Sequence, residues 1–320
     1  MQARRILSID GGGIRGLASC AWLQAAQDAL VKAGKPGLRG SFDLLAGSST
    51  GAVIACGLGM GMTPARMAQL YRERGREIFP GMASRLWSRT GRFFRDGPSA
   101  PKYDGKGLET VLRDVFGDTT LGQLRMPVMI TSYDTISRQP VIFKSFKTEH
   151  QALPVWEVCR ASTAAPTYFP AYPMMIEGLL RSLIDGGVVA NNPTACAIAE
   201  AIRLDRQVQY CQDLVVLSVG SGQRKRPIPL KEAQEWGALE WAVPIIDVLF
   251  DGNTDSVDYI ARHLVGNAYV RLQVELDIGT DDLDDVSATN IAALEATARD
   301  YLLRPATRRQ LRKLAGLLAA

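Results

Sequence analysis

The chain has 320 residues, 47% hydrophobic and 22% charged, a soluble globular composition with room for a sizeable core. Its formal net charge of +4 is too mild to single out a partner, although a basic face would favour anionic lipid surfaces. The five cysteines are scattered, form no C-x-x-C pair and are accompanied by only two histidines, which argues against a zinc site and reads as buried free thiols in a reducing compartment.

In chain order, Arg5–Ile9 is a short apolar strand that ends in Asp10 and a glycine loop, Gly11-Gly12-Gly13. A helix is predicted from about Gly16 to Ala33. A second strand, Phe42 to Ala46, runs into Gly47-Ser48-Ser49-Thr50-Gly51 and then a buried helix from Ala52. The uncharged stretch Leu44 to Ala65 is nominally long enough to span a membrane. Its five glycines and its Ser-Ser-Thr break read instead as an interior strand plus an interior helix. Thr63-Pro64 supplies an N-cap and a first-turn proline for a helix to about Glu77. Residues 80–105 carry scattered glycine and proline and are predicted irregular. A short amphipathic helix, Leu108 to Phe116, stops at Gly117. Val128–Tyr133 and Val141–Phe146 read as neighbouring strands, Val155–Thr163 as a helix, and Leu183-Ile184 as a strand end before Asp185. A helix from Asn192-Pro193 to about Leu204 precedes the apolar strand Leu214–Val219. The last third, from about residue 227, is predicted mainly helical with one strand at Tyr269–Leu276.

This alternation predicts an α/β fold, a three-layer sandwich with a mostly parallel central sheet and helices on both faces. Sites in such folds lie at the carboxyl ends of the strands, which is where Asp10, Ser49, Asp185 and Gly220 fall. No low-complexity linker divides the chain, so residues 1–320 are expected to form one domain.

Three of these positions form a candidate site. Gly47-x-Ser49-x-Gly51 between a strand and a helix is the context of a nucleophile elbow, with the Ser49 hydroxyl pushed into the open. The Gly11, Gly12 and Gly13 amides can converge on one anion, as an oxyanion hole or a phosphate cradle. Gly11, Gly13 and Gly16 also fit a dinucleotide-binding G-x-G-x-x-G, but the acidic residue such a site wants at the end of the second strand is absent. Asp185-Gly186-Gly187 is either a plain turn or the home of a general base. His150, in a polar segment, and His263, within a helix, have no strand-end setting. A Ser49–Asp185 dyad needs neither, provided that the carboxylate is partly desolvated.

The run Asp10-Gly11-Gly12-Gly13-Ile14-Arg15-Gly16, the elbow Gly47–Gly51, the block Ala161–Pro170 and Asp185-Gly186-Gly187 resemble the patatin-like phospholipases in motif, order and rough spacing. Tyr269–Leu276 and Leu283-Asp284-Asp285 extend the likeness over nearly the whole chain. The resemblance implies Ser49 as nucleophile, Asp185 as base, and Gly11, Gly12 and Gly13 as oxyanion-hole donors. It further implies that Arg15 fixes that loop or contacts the lipid phosphate, and that Ala161–Pro170 is a scaffold. The implied reaction is acyl transfer from a membrane glycerophospholipid through an acyl-enzyme, with no metal and no cofactor. The cluster Asp281–Asp285 lacks the spacing of a calcium loop.

Pro244 to Tyr259, the short length and the lack of added domains also resemble the patatin-like effectors of bacterial CBASS anti-phage systems. That likeness implies a cyclic di- or trinucleotide activator as a second ligand. No nucleic acid polymer is expected as a partner. The alternatives are a patatin-like lipase without nucleotide control and a non-hydrolytic nucleotide-binding module.

Arg4 and Arg5 precede an apolar run too short for a signal-peptide core, so a cytoplasmic protein acting on the inner membrane surface is expected. Between Arg85 and Arg95, Trp87, Phe93 and Phe94 interleave with Arg89 and Arg92, a pattern suited to a membrane-docking surface or lid. The helical last third is either a homo-oligomer interface or simply core.

Overall fold

The structure is a computed structural model that describes residues 4–81, 100–223, 227–241, 244–276 and 282–318. Its centre is an eight-stranded sheet: β1 (Arg5–Ile9), β2 (Leu44–Ser48), β3 (Val128–Asp134), β4 (Gln139–Lys144), β5 (Tyr172–Ile176), β6 (Leu179–Asp185), β7 (Val215–Val219) and β8 (Tyr269–Leu272). The pairs β3–β2, β2–β1, β1–β7 and β7–β8 are parallel, whereas β4 and β6 pair antiparallel with β3, and β5 pairs antiparallel with β6.

The parallel strands are apolar on both faces, as burial under helices requires. Leu7, Ile9, Leu45, Ile130 and Leu217 enter one core, and Ile6, Leu44, Ala46, Met129 and Val216 the other. Over the first face pack α1 (Gly16–Lys32), α2 (Thr50–Met60), α3 (Pro64–Ile78), α4 (Lys106–Phe116) and α5 (Val155–Ser162). The second face is covered by α6 (Thr194–Leu204) and α7 (Pro244–Val265). The chain closes with α8 (Ala288–Leu303) and α9 (Pro305–Leu317), which return to the first face. The predicted α/β sandwich is therefore present. Among the described residues no helix is long and apolar enough to cross a membrane, and Leu44–Ala65 is indeed a strand and a buried helix. All five cysteines are free.

Two local features differ from the sequence expectation. The hairpin β5–β6 replaces what reads as a mere strand end. Its turn, Glu177-Gly178, has φ of 51° and 75°, the paired left-handed geometry of a tight two-residue connection. Pro173 and the absence of a turn dipeptide such as Asn-Gly obscure it. Strand β4 also begins two residues early. The Asp134 carboxylate accepts from the N–H groups of Ile136 and Ser137, which tightens the β3–β4 turn and advances the register.

One detail of the topology positions the site. Residues 132–134 of β3 pair with both β4 and β6, and residues 129–131 with both β4 and β2. Since β4 occupies one edge of β3, β2 and β6 share the other, end to end. Ser48 lies opposite Thr131 and Asp185 opposite Ser132. The end of the elbow strand and the acid therefore meet on consecutive rungs of one strand. The close fit requires Gly186, where an added Cβ would stand 2.3 Å from the Thr131 carbonyl oxygen. Gly186→Ala is expected to lower stability by about 2 kcal/mol, measured as a fall in the urea midpoint, and an unchanged midpoint would contradict the tight apposition.

Candidate active site

Ser49 sits between β2 and α2 with φ 52° and ψ −123°, a conformation that costs a non-glycine residue about 1–3 kcal/mol. Surrounding contacts impose it. The Ser49 N–H donates to Ser162 Oγ at 2.9 Å. Next to it Gly51 lies so close to β1 that a Cβ would stand 2.2 Å from the Ile9 carbonyl oxygen. Ser49 Oγ donates to Asp185 Oδ2 at 2.7 Å across 136 residues of sequence.

Asp185 has no exposed surface. Its other oxygen, Oδ1, accepts from the Gly187 N–H at 2.7 Å. Burial disfavours the charged form and pushes its pKa up to about 7, while the Ser49 hydroxyl and the Gly187 N–H offset part of that rise. The result is a desolvated carboxylate on the hydroxyl, basic enough to take its proton near neutrality.

The glycine loop approaches from the end of β1. The Gly11 N–H is committed, donating to the Asn191 carbonyl at 3.0 Å. Among the described residues the amides of Gly12 and Gly13 donate to no protein group. Arg15 is buried, and both its N–H (3.1 Å) and its Nε (3.3 Å) donate to the Gly12 carbonyl. Turning that carbonyl toward Arg15 turns the Gly13 N–H of the same trans peptide the opposite way. Gly13, Ser49, Thr50 and Asp185 line the polar end of a cavity. The rest of that cavity is apolar, with walls that include Val53, Leu70, Ile78, Phe79, Leu112 and Phe169.

Both histidines are engaged elsewhere. His150 Nδ1 accepts from the Lys144 N–H, and its ring packs on Phe143. His263 is exposed on α7 against Tyr259. Trp87, Arg92, Phe93 and Phe94 lie outside the described residues.

Sequence reasoning gave Ala161–Pro170 only a general scaffold role. The structure makes the role specific: besides the Ser162 hydroxyl on Ser49, the carbonyls of Ser162 and Ala164 accept the N–H groups of Gly186 (3.2 Å) and Asp185 (3.0 Å). The last residue of α5 and the turn after it thus grip both candidate residues. A serine just before a Thr-Ala-Ala-Pro helix stop is the only signal for it. Asn191 went unmarked, although its carbonyl anchors Gly11 and its side-chain Nδ2 donates to Thr254 Oγ1 at 2.9 Å.

A family model described as patatin-like phospholipase matches residues 7–198. Patatin-like protein 2 of Oryza sativa subsp. indica is 31% identical over 329 aligned positions, covering 89% of this chain and 80% of its own. Patatin-like protein 2 of Arabidopsis thaliana is 32% identical over 343 positions, covering 95% and 84%. Patatin group J-1 of Solanum tuberosum is 29% identical over 344 positions, again covering 95% and 84%.

Proposed function

This chain belongs to the patatin-like phospholipase family and is a hydrolase, and from that premise we propose that it cleaves glycerophospholipid esters with a Ser49–Asp185 dyad. The observation that carries the reading is the 2.7 Å hydrogen bond from the Ser49 hydroxyl to a fully buried carboxylate at the polar end of an apolar cavity. Ser49 Oγ attacks the ester carbonyl and its proton passes to Asp185. The tetrahedral oxyanion is received by the amides of Gly12 and Gly13, since that of Gly11 is already bonded. The tetrahedral species collapses, the lysophospholipid alkoxide leaves, and Asp185 returns the proton to it. Water, deprotonated by the same carboxylate, then attacks the acyl-enzyme and releases fatty acid and free Ser49. The apolar walls receive the acyl chain, and Arg15 acts through the loop it holds.

The finer part of the proposal is that a cyclic di- or trinucleotide activates the enzyme, as in the CBASS effectors that Pro244–Tyr259 resembles. One set of contacts supports control through this stretch. It forms most of α7, which touches the segment after Asp185 at several points. Phe250 packs on Gly187, Asn253 Nδ2 donates to the Val189 carbonyl at 2.9 Å, and Thr254 holds Asn191. A ligand that shifts α7 would move the segment carrying the base. The test is fatty-acid release from phospholipid vesicles with and without a panel of cyclic di- and trinucleotides. A rise of about tenfold or more with one member is expected, the size of an ordinary allosteric coupling. Equal rates throughout would leave a lipase without nucleotide control. Failure of a fluorophosphonate to label Ser49 would remove Ser49 as the nucleophile.

A further inference from the structure

Asp10 closes β1 and opens the glycine loop, and its carboxylate is buried. It is gripped at both oxygens by the guanidinium of Arg271, in β8, with Nη1 2.9 Å from Oδ1 and Nη2 2.5 Å from Oδ2. Arg271 is itself only 4% exposed. A buried ion pair of this kind adds little net stability over an apolar replacement, so its presence calls for another account.

The pair does not stand alone. Arg271 Nη1 also donates to Ser218 Oγ at 2.7 Å, and the Ser218 and Thr194 hydroxyls are 3.0 Å apart. Thr194 Oγ1 lies 2.5 Å from Asn192 Oδ1, an acceptor, so the single Thr194 proton goes there and Ser218 donates to Thr194. The chain of donors runs from Arg271 through Ser218 and Thr194 to Asn192. Asn192 follows Asn191, whose carbonyl holds the Gly11 N–H. Arg271 therefore fixes directly the residue that leads into the glycine loop. Through two hydroxyls it also fixes the end of the segment that begins at Asp185. It lies outside residues 7–198, the span that the family model matches.

We propose that Arg271 is a positioning residue for the oxyanion hole: its bidentate grip on Asp10 sets where the Gly12 and Gly13 amides point relative to Ser49. The proposal rests on the dyad reading above. It acts through geometry alone, since Arg271 is placed to touch Asp10 and not the ester.

Arg271→Lys keeps the charge and loses the planar fork. In the full chain it is expected to lower kcat on a soluble short-chain ester by about 100-fold, the effect of losing one oxyanion donor, with KM nearly unchanged. Affinity for a trifluoromethyl ketone, which forms a tetrahedral oxyanion on Ser49, should fall by the same factor, while affinity for product fatty acid holds. A purely structural role would not separate those two ligands. The charge-free double variant, Asp10→Asn with Arg271→Gln, supplies the same readouts if Arg271→Lys unfolds, and the same losses are expected of it. Unchanged kcat, or equal losses for ketone and fatty acid, would overturn the proposal. Fluorophosphonate labelling of the unaltered protein separates the two levels. Labelling at Ser49 with full kcat in Arg271→Lys removes only the positioning role, whereas no labelling removes the dyad and this role with it.

Discussion

Ser49→Ala is expected to reduce fatty-acid release from phospholipid vesicles by a factor on the order of 10⁴ or more, the usual consequence of deleting a nucleophile that acts as a unit with its base. The loss should appear in kcat, because the apolar cavity proposed to receive the acyl chain stays intact. Covalent labelling by a fluorophosphonate should vanish in parallel. The melting temperature should remain near that of the unaltered protein. Alanine keeps the same Cβ at the elbow, and the Ser162 hydroxyl still accepts the position-49 N–H. Asp185 loses one of the two hydrogen bonds that offset its burial, so its proton is held more tightly in the variant. A variant that hydrolyses ester at more than about a tenth of the normal rate would mean that the reacting hydroxyl lies elsewhere.

Asp185→Asn carries the second large effect. The amide preserves the shape of the carboxylate and an acceptor oxygen but cannot take a proton, so kcat should fall by about 10³–10⁴. The unaltered enzyme should show a matching pH dependence. With Asp185 at about 7, the carboxylate is protonated and idle at lower pH, and activity should climb through a midpoint near 7. Stability should follow the opposite sense. The native pKa stands above the ordinary carboxylate value of 3.8, so the folded protein binds this proton more tightly than the unfolded chain does. The contribution is fully favourable below about pH 3.8 and is lost as pH rises through 7. Asp185→Asn should therefore melt higher than the unaltered protein at pH 8, and the gap should close toward pH 4. Thermal melts at both pH values, beside a pH–rate profile, check the two halves together. A flat rate profile from pH 5 to 9 would show that no group titrating near neutrality accepts the proton.

The elements of the site that sequence reasoning reached are those encoded locally. Glycines at 47 and 51 around a serine, three glycines after a strand, and Asp-Gly-Gly at a strand end each declare a turn whose backbone must come close to something. Two histidines in poor settings leave the carboxylate as the candidate base. What could not be read is encoded across distance. Asp10 and Arg271 are 261 residues apart, and Ser49 and Ser162 are 113 apart. No periodicity links either pair, and nothing in a strand reading Tyr-Val-Arg-Leu says that its arginine turns inward. The commitment of the Gly11 amide is invisible for the same reason, since its acceptor is a main-chain carbonyl that any residue at 191 would offer. The β5–β6 hairpin was hidden by composition rather than distance, with Pro173 and Met174-Met175 in place of the β-branched residues that mark a strand. Its inner end still carried the one residue that mattered, Asp185.

The shared edge of β3 makes the spacing of Ser49 and Asp185 a property of one ladder of main-chain bonds. Slipping either neighbour by a single rung would displace its tip by about 3.3 Å and send alternate side chains to the wrong side. The pair is thus either assembled or absent, with little middle ground. A turn that touches neither residue is, by contrast, released from that duty. The β5–β6 turn at Glu177-Gly178 is one, and it can lengthen or change its contents and leave the distance between Ser49 and Asp185 untouched. Covers and control elements grafted there would vary freely around an invariant gauge.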